Sequence, residues 1–432
     1  MAFSLFKNFL SLISAETFSK AVTFVAFAYL ARSFGASGFG YIEWAGAVLM
    51  CASLIVDQGF SAYGTREIAK DPTRTAELVK EILTARFLFA LIGYLVLALF
   101  AFGFTDDPVL RNLLLIYGLS LWMLPFLLQW VFQGYDRMNL VAVAQIIRQS
   151  VFVAVIFIFV RSISDLYFVG IAEIAGVSCA ALFTVWIYRQ KFAPQIDWRP
   201  RLSAQLFRQG LPIGLSQMFW TFKMFGATFI VGLVATAEDT GYFAGAMRIY
   251  IALHTFVWLY YANLLPSLSR GWERRDGSFS ELIKNSMRLV LPLSLVGGFF
   301  WVLLSPVAMS LAYGSNFSNG SGPLQWLAGA CVAAAISGHF RFGLIAAGFQ
   351  NKEMWTSALG AAVAIGAIPF GYFQAGPSGA AAALFLAELI VLLTAGLISK
   401  RNLFDRSERD EPKSDLKDRT KNPLRSLTEA AR

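Results

Sequence analysis

Apolar stretches of about twenty residues recur along the whole of this 432-residue chain, separated by short polar connections. A helix needs about 20 apolar residues to cross the roughly 30 Å of hydrocarbon in a bilayer, so each stretch is long enough to span a membrane. Only 15% of the residues are charged, whereas a soluble domain has about 25%. The pattern excludes a soluble globular enzyme and predicts an all-α, polytopic membrane protein.

A window of about 20 residues predicts twelve transmembrane helices. Their predicted limits are Phe9–Ala31, Ile42–Tyr63, Ile82–Gly103, Leu113–Phe132, Leu140–Val160, Leu166–Tyr188, Leu211–Val234, Tyr242–Leu265, Leu289–Ala312, Leu324–Gly348, Met354–Phe373 and Gly379–Ser399.

The distribution of Lys and Arg predicts that both termini are cytoplasmic. With that orientation, 29 of the 36 basic residues lie on the cytoplasmic side and three lie on the opposite side (Arg32, Arg111 and Arg161). Cytoplasmic loops of membrane proteins carry such an excess. The net charge of +9 suits the anionic lipids of a plasma (inner) membrane. It does not indicate a nucleic-acid partner.

Short matches between the two halves of the chain predict an internal repeat. The matched elements are Lys20 with Lys223, Gly40-Tyr41 with Gly241-Tyr242, and Glu77–Lys80 with Glu281–Lys284, all at offsets of about 200 residues. We therefore predict an N-terminal six-helix lobe (1–203), a C-terminal six-helix lobe (204–401) and a disordered cytoplasmic tail (402–432). Transporters built from such repeats bind substrate between the halves.

The first quarter of the chain resembles a known family of transporters. The stretch Leu30–Tyr41, the triplet Asp57-Gln58-Gly59 and the segment Thr65–Lys70 resemble the start of the polysaccharide-exporter (Wzx-type) oligosaccharide flippases. That family belongs to the multidrug/oligosaccharidyl-lipid/polysaccharide exporter superfamily. Gly134 and Gly241–Ala244 extend the resemblance over residues 1 to about 400.

The resemblance implies a MATE-like fold with two six-helix lobes, and a flippase activity. The implied substrate is a polyprenyl-diphosphate-linked oligosaccharide, carried from the inner to the outer leaflet for surface polysaccharide such as lipopolysaccharide. Membrane lipids would surround the protein, and a glycan polymerase or glycosyltransferases of the same pathway are candidate partners. We expect no enzyme activity, no cofactor and no metal, since no nucleotide-binding loop or metal-ligand spacing is present.

Cations inside the spans are the candidate substrate-binding residues, because a buried charge is costly and usually faces a cavity. They are Lys20, Lys223, Arg248 and Arg341. Lys20 has an alternative role as the ion-pair partner of Glu16, one turn earlier. Arg248 has Glu173 or Glu388 as alternative partners, and Arg341 alternatively extends to the inner surface.

Acidic residues inside the spans are candidates for ion coupling or for ion pairs with these cations. They are Glu16, Glu173 and Glu388. We expect Asp57 to be structural or part of a gate, either capping a helix end or pairing with Arg66. A further candidate is an aromatic stripe facing the sugar, formed by Tyr250, His254, Trp258 and Tyr261.

Two other functions remain open at this point. A drug or metabolite exporter would share the fold, but buried acids for cationic drugs would be prominent. A membrane glycosyltransferase or polymerase would need catalytic acids in a sizeable outer loop. The outer acid pairs, Asp106-Asp107 and Glu238-Asp239, lie in short turns where helix capping is the ordinary role.

Overall fold

A computed structural model describes residues 2–192 and 201–404, with side chains at 21–192, 201–208, 210–211, 214 and 225–403. The described chain consists of helices joined by short connections. Its α-helices are α1 (Ala2–Asp57), α2 (Phe60–Lys70), α3 (Thr75–Phe104), α4 (Pro108–Gly118), α5 (Gln129–Gly134), α6 (Met138–Phe159), α7 (Tyr167–Lys191), α8 (Ala204–Val234), α9 (Ala237–Arg274), α10 (Ser278–Tyr313), α11 (Ser321–Ala346) and α12 (Gln350–Ser399).

Two of these helices are each long enough to cross a membrane twice. α1 has 56 residues and α12 has 50, which at 1.5 Å per residue is about 84 and about 75 Å of helix. Both are broken near the middle, where Gly35 has φ 68° and Gly376 has φ 59°. Glycine adopts this left-handed conformation without steric cost. Each helix therefore holds two of the predicted spans.

The predicted fold class is confirmed. Eight helical segments of the described chain are long and apolar enough to cross a membrane, and two of them are the doubled α1 and α12. α8 and α9, with 31 and 38 residues, coincide with the seventh and eighth predicted spans. The described residues thus contain twelve helical segments at the twelve predicted places.

The chain divides into two compact units. The larger unit comprises Met1–Arg248, Leu304–Leu324 and Ile365–Ala381. The smaller unit comprises Ile249–Leu303, Gln325–Ala364 and Ala382–Arg432. The division into lobes 1–203 and 204–401 remains a prediction.

Within the larger unit, the second span of α1 and the start of α9 approach each other through a reciprocal pair of glycines. A Cβ added to Gly40 would overlap the carbonyl oxygen of Ala237, and one added to Gly241 would overlap that of Ala36. Gly40 and Gly241 are 201 residues apart in the sequence, and Ala36 and Ala237 are separated by the same number. In a two-fold contact, residue i meets j' and j meets i'. This geometry supports the predicted repeat.

The helical chain continues past the last span. Lys400–Phe404 forms a π-helical turn, three residues into the segment assigned to the tail. Leu403 is fully buried against Phe279, Ile283 and Leu344. This apolar contact holds the turn in place, so residues 402–404 of the assigned tail are helical; residues 405–432 lie outside the described residues, and a disordered tail there stays a prediction.

Candidate functional site

Three of the predicted site residues have side chains outside the described residues. Glu16 and Lys20 fall in the first span of α1, and Lys223 falls in α8. The predicted pairing of Glu16 with Lys20 and the predicted cationic role of Lys20 and Lys223 therefore stay predictions.

Arg248 lies on α9 and forms an ion pair with Glu43, on the second span of α1. Its guanidinium also lies over the ring of Phe27, with its carbon 3.3 Å from the ring centroid. The Arg248 side chain is 25% exposed and that of Glu43 is 11% exposed. The prediction that Glu173 or Glu388 pairs with Arg248 is wrong, because Glu43 occupies that place.

Glu43 was missed because it is the second residue of a predicted span, where a charge is ordinarily interfacial. The internal repeat nevertheless contained a signal that Glu43 lies near Arg248. Glu43 follows Gly40 by three residues, and Arg248 follows Gly241 by seven. Since these two glycines pack against each other, both charges lie within two helical turns of the same close contact.

Glu173, on α7, pairs with Arg148 on α6, with 2.5 Å between Oε1 and Nη2. Arg148 is one of the 29 basic residues assigned to the cytoplasmic side, although it falls inside the predicted span Leu140–Val160. The structure places it at the middle of α6, which runs from Met138 to Phe159, so the cytoplasmic assignment is wrong. A cation there needs a counter-charge in the apolar layer, and Glu173 supplies it.

Asp57, at the end of α1, forms an ion pair with Arg86 of α3 through both Nε and Nη2. It also accepts hydrogen bonds from the backbone N–H and hydroxyl of Ser61, at 3.3 and 2.8 Å. The predicted capping role is thus observed. The predicted pairing with Arg66 is wrong, because Arg66 bonds to Glu67 at 3.0 Å.

Arg86 also satisfies a broken stretch of backbone. Between α4 and α5 the chain forms the 3₁₀ segment Leu119–Phe126, which contains Pro125. Nη1 of Arg86 donates to the carbonyl oxygens of Leu124 and Leu127, at 3.5 and 3.3 Å. Irregular backbone at membrane depth requires such partners. The Arg86 side chain is only 8% exposed, so this pair is part of the interior of the larger unit.

Arg341, on α11 of the smaller unit, pairs with Glu353 at the start of α12. Nε and Nη2 of Arg341 lie 2.9 and 2.6 Å from one carboxylate oxygen of Glu353, and Nη2 also donates to Ser357. Glu353 lies one residue before the predicted span Met354–Phe373, so the alternative in which Arg341 extends to the inner surface stays a prediction. Its side chain is 19% exposed, which leaves it partly accessible while paired.

The proposed aromatic stripe does not form one face. Tyr250 and Tyr261 are 3% and 1% exposed, whereas Trp258 is 46% exposed. The prediction of a sugar-facing stripe is therefore wrong, since its members point into different surroundings. Glu388, on α12, is likewise buried, with 2% of its surface exposed.

A polar cluster that the sequence analysis did not identify lies in the smaller unit. It joins Tyr260 and Tyr261 of α9, Ser286 of α10 and His339 of α11. The ring of His339 lies 2.7 Å from the hydroxyl of Tyr261 and 2.8 Å from that of Ser286. Its sequence signal was weak, because a single His in an apolar span is compatible with many surroundings.

Outside the spans, α2 carries a cluster of charges around Glu67. Lys70 and Arg66 each lie 3.0 Å from one of its carboxylate oxygens. Burial alone raises the pKa of Glu67, but the hydrogen bonds from Lys70 and Arg66 outweigh it and hold the pKa below its usual value. Glu67 is therefore ionised at neutral pH and holds the basic end of α2 together.

Comparison with known proteins assigns the chain to a family. A family model described as polysaccharide biosynthesis protein matches residues 5–272. The chain belongs to this family. A protein of Escherichia coli K12 that is named for O-antigen transport is 21% identical over 332 residues, covering 73% of this chain and 77% of its own. A protein of Shigella dysenteriae with the same name is 24% identical over 218 residues, 49% of this chain and 54% of its own.

Solved structures show the same fold at low sequence identity. An inward-facing multidrug resistance MATE family transporter of the MOP superfamily aligns with a TM-score of 0.73 and 12% identity, covering 91% of this chain and 96% of its own. The lipid II flippase MurJ, in an inward closed conformation, aligns with a TM-score of 0.73 and 12% identity over 90% of this chain and 87% of its own. The MATE-like fold is therefore shown.

Proposed function

We propose that the protein is a flippase for polyprenyl-diphosphate-linked oligosaccharide in the plasma (inner) membrane, with both termini cytoplasmic. Membership of the polysaccharide biosynthesis family supports this, as do relatives named for O-antigen transport and a fold shared with a lipid II flippase. Glycosyltransferases that build the oligosaccharide and a polymerase that consumes it are its proposed partners. Such a substrate carries a diphosphate, so the protein needs groups that bind a diphosphate within the membrane.

Moving a diphosphate head group across hydrocarbon without a partner would cost tens of kcal/mol by idealised solvation. A transporter reduces this cost by offering cations along the route. Arg248 is such a cation, because it is inside the membrane, partly exposed and oriented by Glu43 and Phe27. This is the single structural observation that carries the proposal.

In the proposed step, the diphosphate displaces Glu43 from the guanidinium of Arg248. Arginine binds phosphate oxygens in a bidentate manner, so the exchange replaces one charged partner with another. Arg248 keeps an anionic partner throughout, whereas the displaced Glu43 carboxylate must take up a proton or gain water, because a buried charge left without a partner is costly. Lys20, Lys223 and Arg341 are proposed to supply further positive charge.

Complementation tests this proposal. In a strain that lacks its own O-antigen transporter, the wild-type chain should restore surface glycan, and Arg248→Met should reduce it by about tenfold or more. Arg248→Lys should retain part of the activity, because it keeps the charge but loses the bidentate geometry. Membrane-fraction abundance, measured alongside, separates lost transport from lost protein.

A matched control is Arg148→Met, which removes a cation paired within the same unit. Comparable glycan loss at equal abundance in both variants would contradict a specific role for Arg248. Efflux of a cationic dye by the wild-type chain, without glycan rescue, would favour a drug exporter instead.

A further inference from the structure

The smaller unit contains a buried imidazole that the proposed exchange at Arg248 does not use. His339 has no exposed surface. It lies between α9 and α10, where hydroxyl groups approach both of its ring nitrogens.

The hydrogen-bond partners of Nδ1 identify the neutral tautomer. The hydroxyl of Tyr261 donates its single proton to the carbonyl oxygen of Ala335, so its oxygen is free to accept from Nδ1, 2.7 Å away. The carbonyl oxygen of Ile336 lies 3.2 Å from Nδ1 and also accepts. Two acceptors around Nδ1 require that this nitrogen carries the proton in neutral His339.

Nε2 is then the proton acceptor of the neutral ring. The hydroxyl of Ser286 lies 2.8 Å from it and donates. The hydroxyl of Tyr260 lies 2.7 Å from that of Ser286. Tyr260 is only half-buried, so a continuous chain of hydroxyls leads from a partly exposed phenol to the buried nitrogen.

The surroundings of the ring are uncharged. Among the described residues, the titratable groups that face His339 or its hydroxyl partners are Tyr260 and Tyr261, both from α9. α10 contributes only the hydroxyl of Ser286 at this place. Arg341, two residues further along α11, is engaged with Glu353.

We infer that His339 is a reversible proton-binding site, loaded through Tyr260 and Ser286. A proton from bulk water binds the oxygen of Tyr260, whose own proton passes to Ser286. The former proton of Ser286 passes to Nε2, so one N–H bond forms and each hydroxyl ends with one proton. The resulting imidazolium donates from Nδ1 to Tyr261 and from Nε2 to Ser286, and both of its N–H groups stay hydrogen-bonded.

The position of the site gives this proton a role in transport, and that role rests on the proposed function. Ser286 is eight residues from the start of α10, and His339 is seven residues from the end of α11. Those helix ends are the ones predicted to be cytoplasmic. A positive charge created there without a carboxylate partner is costly in an apolar layer, so protonation favours a rearrangement that brings water or an anion to the ring.

Histidine-selective ¹⁵N NMR of the full-length protein in nanodiscs tests the proton site directly. The chain has two His residues, so His254→Gln leaves a single imidazole to observe. We expect that imidazole to change reversibly from the Nδ1–H tautomer to imidazolium as the pH is lowered from about 8 to about 4, because burial disfavours the charged ring. A spectrum that keeps the neutral tautomer throughout this range would overturn the inference.

Two substitutions test the relay. Ser286→Ala and Tyr260→Phe should each slow protonation of His339 after a pH jump, because each removes one hydroxyl of the chain. Ser294→Ala is the matched control, since its hydroxyl donates to the carbonyl oxygen of Leu291 of its own helix. Equal protonation rates in wild type, Ser286→Ala and Ser294→Ala would show that the proton does not travel through Ser286.

Cells expressing the wild-type chain and His339→Gln then test the coupling, with surface glycan measured while a permeant weak acid sets the cytoplasmic pH to about 6 or about 7.5. We expect the pH dependence of export to be lost in His339→Gln. The same pH dependence in both proteins would overturn the coupling role. Absence of glycan export by the wild-type chain at either pH would instead contradict the proposed function, while the NMR titration would still decide the proton site.

Discussion

The two compact units of this protein hold their intramembrane polar groups in different ways. The larger unit uses ion pairs, with Glu43 bound to Arg248, Asp57 to Arg86 and Glu173 to Arg148. The smaller unit has the Arg341–Glu353 pair, but it also has a neutral cluster of hydroxyls around His339.

This difference determines which chemical change each unit can respond to. The arginine of an Arg–carboxylate pair keeps its charge at any pH near neutrality, because arginine does not lose its proton in proteins. The arginine therefore responds by exchanging one anionic partner for another. A neutral imidazole cluster can change by gaining a proton. These properties agree with the proposals that the larger unit binds an anionic substrate and the smaller unit a proton.

The largest expected effect concerns the cations of the larger unit whose side chains lie outside the described residues. Lys223→Ala should nearly abolish export at normal abundance, and Lys223→Arg should retain part of it, because a positive charge at mid-membrane stabilises the diphosphate. Lys20→Ala should also impair export. If the Lys20→Ala, Lys223→Ala double variant produced wild-type levels of surface glycan, these two lysines would have no role in export.

The next effect is on stability. Arg86→Met leaves Asp57 without its cation and two carbonyl groups without a donor. Removing one partner of a buried pair costs about 3–5 kcal/mol, so we expect a strong loss of membrane-fraction protein and a lower melting temperature in detergent. Arg66→Met, whose side chain is 48% exposed, should change the free energy of unfolding by less than about 1 kcal/mol. Similar losses in the two variants would contradict the structural role of Arg86.

A third test concerns the reciprocal glycine contact. Gly40→Ala and Gly241→Ala each place a methyl group against a backbone carbonyl that cannot move aside like a flexible side chain. Overpacking of this kind costs about 1–3 kcal/mol. Both should lower the melting temperature, whereas Gly46→Ala, on the same span as Gly40 and with no atom within 4 Å of the added carbon, should not. An unchanged melting temperature in both contact variants would show that the close approach of the two helices does not contribute to the stability of the protein.

The smallest effect lies outside the spans. Asp71 caps the turn before α3, and the hydroxyl and backbone N–H of Thr73 hold its pKa below the usual value. A lowered folded-state pKa means that the contribution is present above about pH 4 and is lost as the pH falls through the folded value. Asp71→Ala should lower the melting temperature by about 1–2 °C at pH 7 and by less at pH 3, where the unfolded-state carboxyl is already protonated. An equal difference at both pH values would contradict this assignment.

Hydropathy predicted the helices well, because the bilayer sets a minimum length for each apolar stretch and the chain must meet it locally. The ion-pair partners were not predictable in the same way. Arg248 pairs with Glu43, 205 residues earlier, and Asp57 pairs with Arg86 rather than the nearer Arg66. These choices depend on which helices pack together, and a single sequence does not give that packing.

The same limit applies to burial. Tyr250 and Tyr261 share the helical spacing of Trp258 but differ from it in exposure. Spacing gives the direction of a side chain around its own helix and says nothing of which neighbouring helices cover it. For that reason the cluster at His339, assembled from three helices, was visible only in the structure.

The glycine contact between α1 and α9 can form only after both helices have been synthesised. Ala36 and Gly40 leave the ribosome about 200 residues before Ala237 and Gly241, and at 5–20 residues per second the interval is roughly 10–40 s. During that time the bare helix surface around Gly40 must remain in the membrane without its counterpart. Slow synthesis of the middle of the chain lengthens this exposure, so translation speed there becomes a determinant of yield.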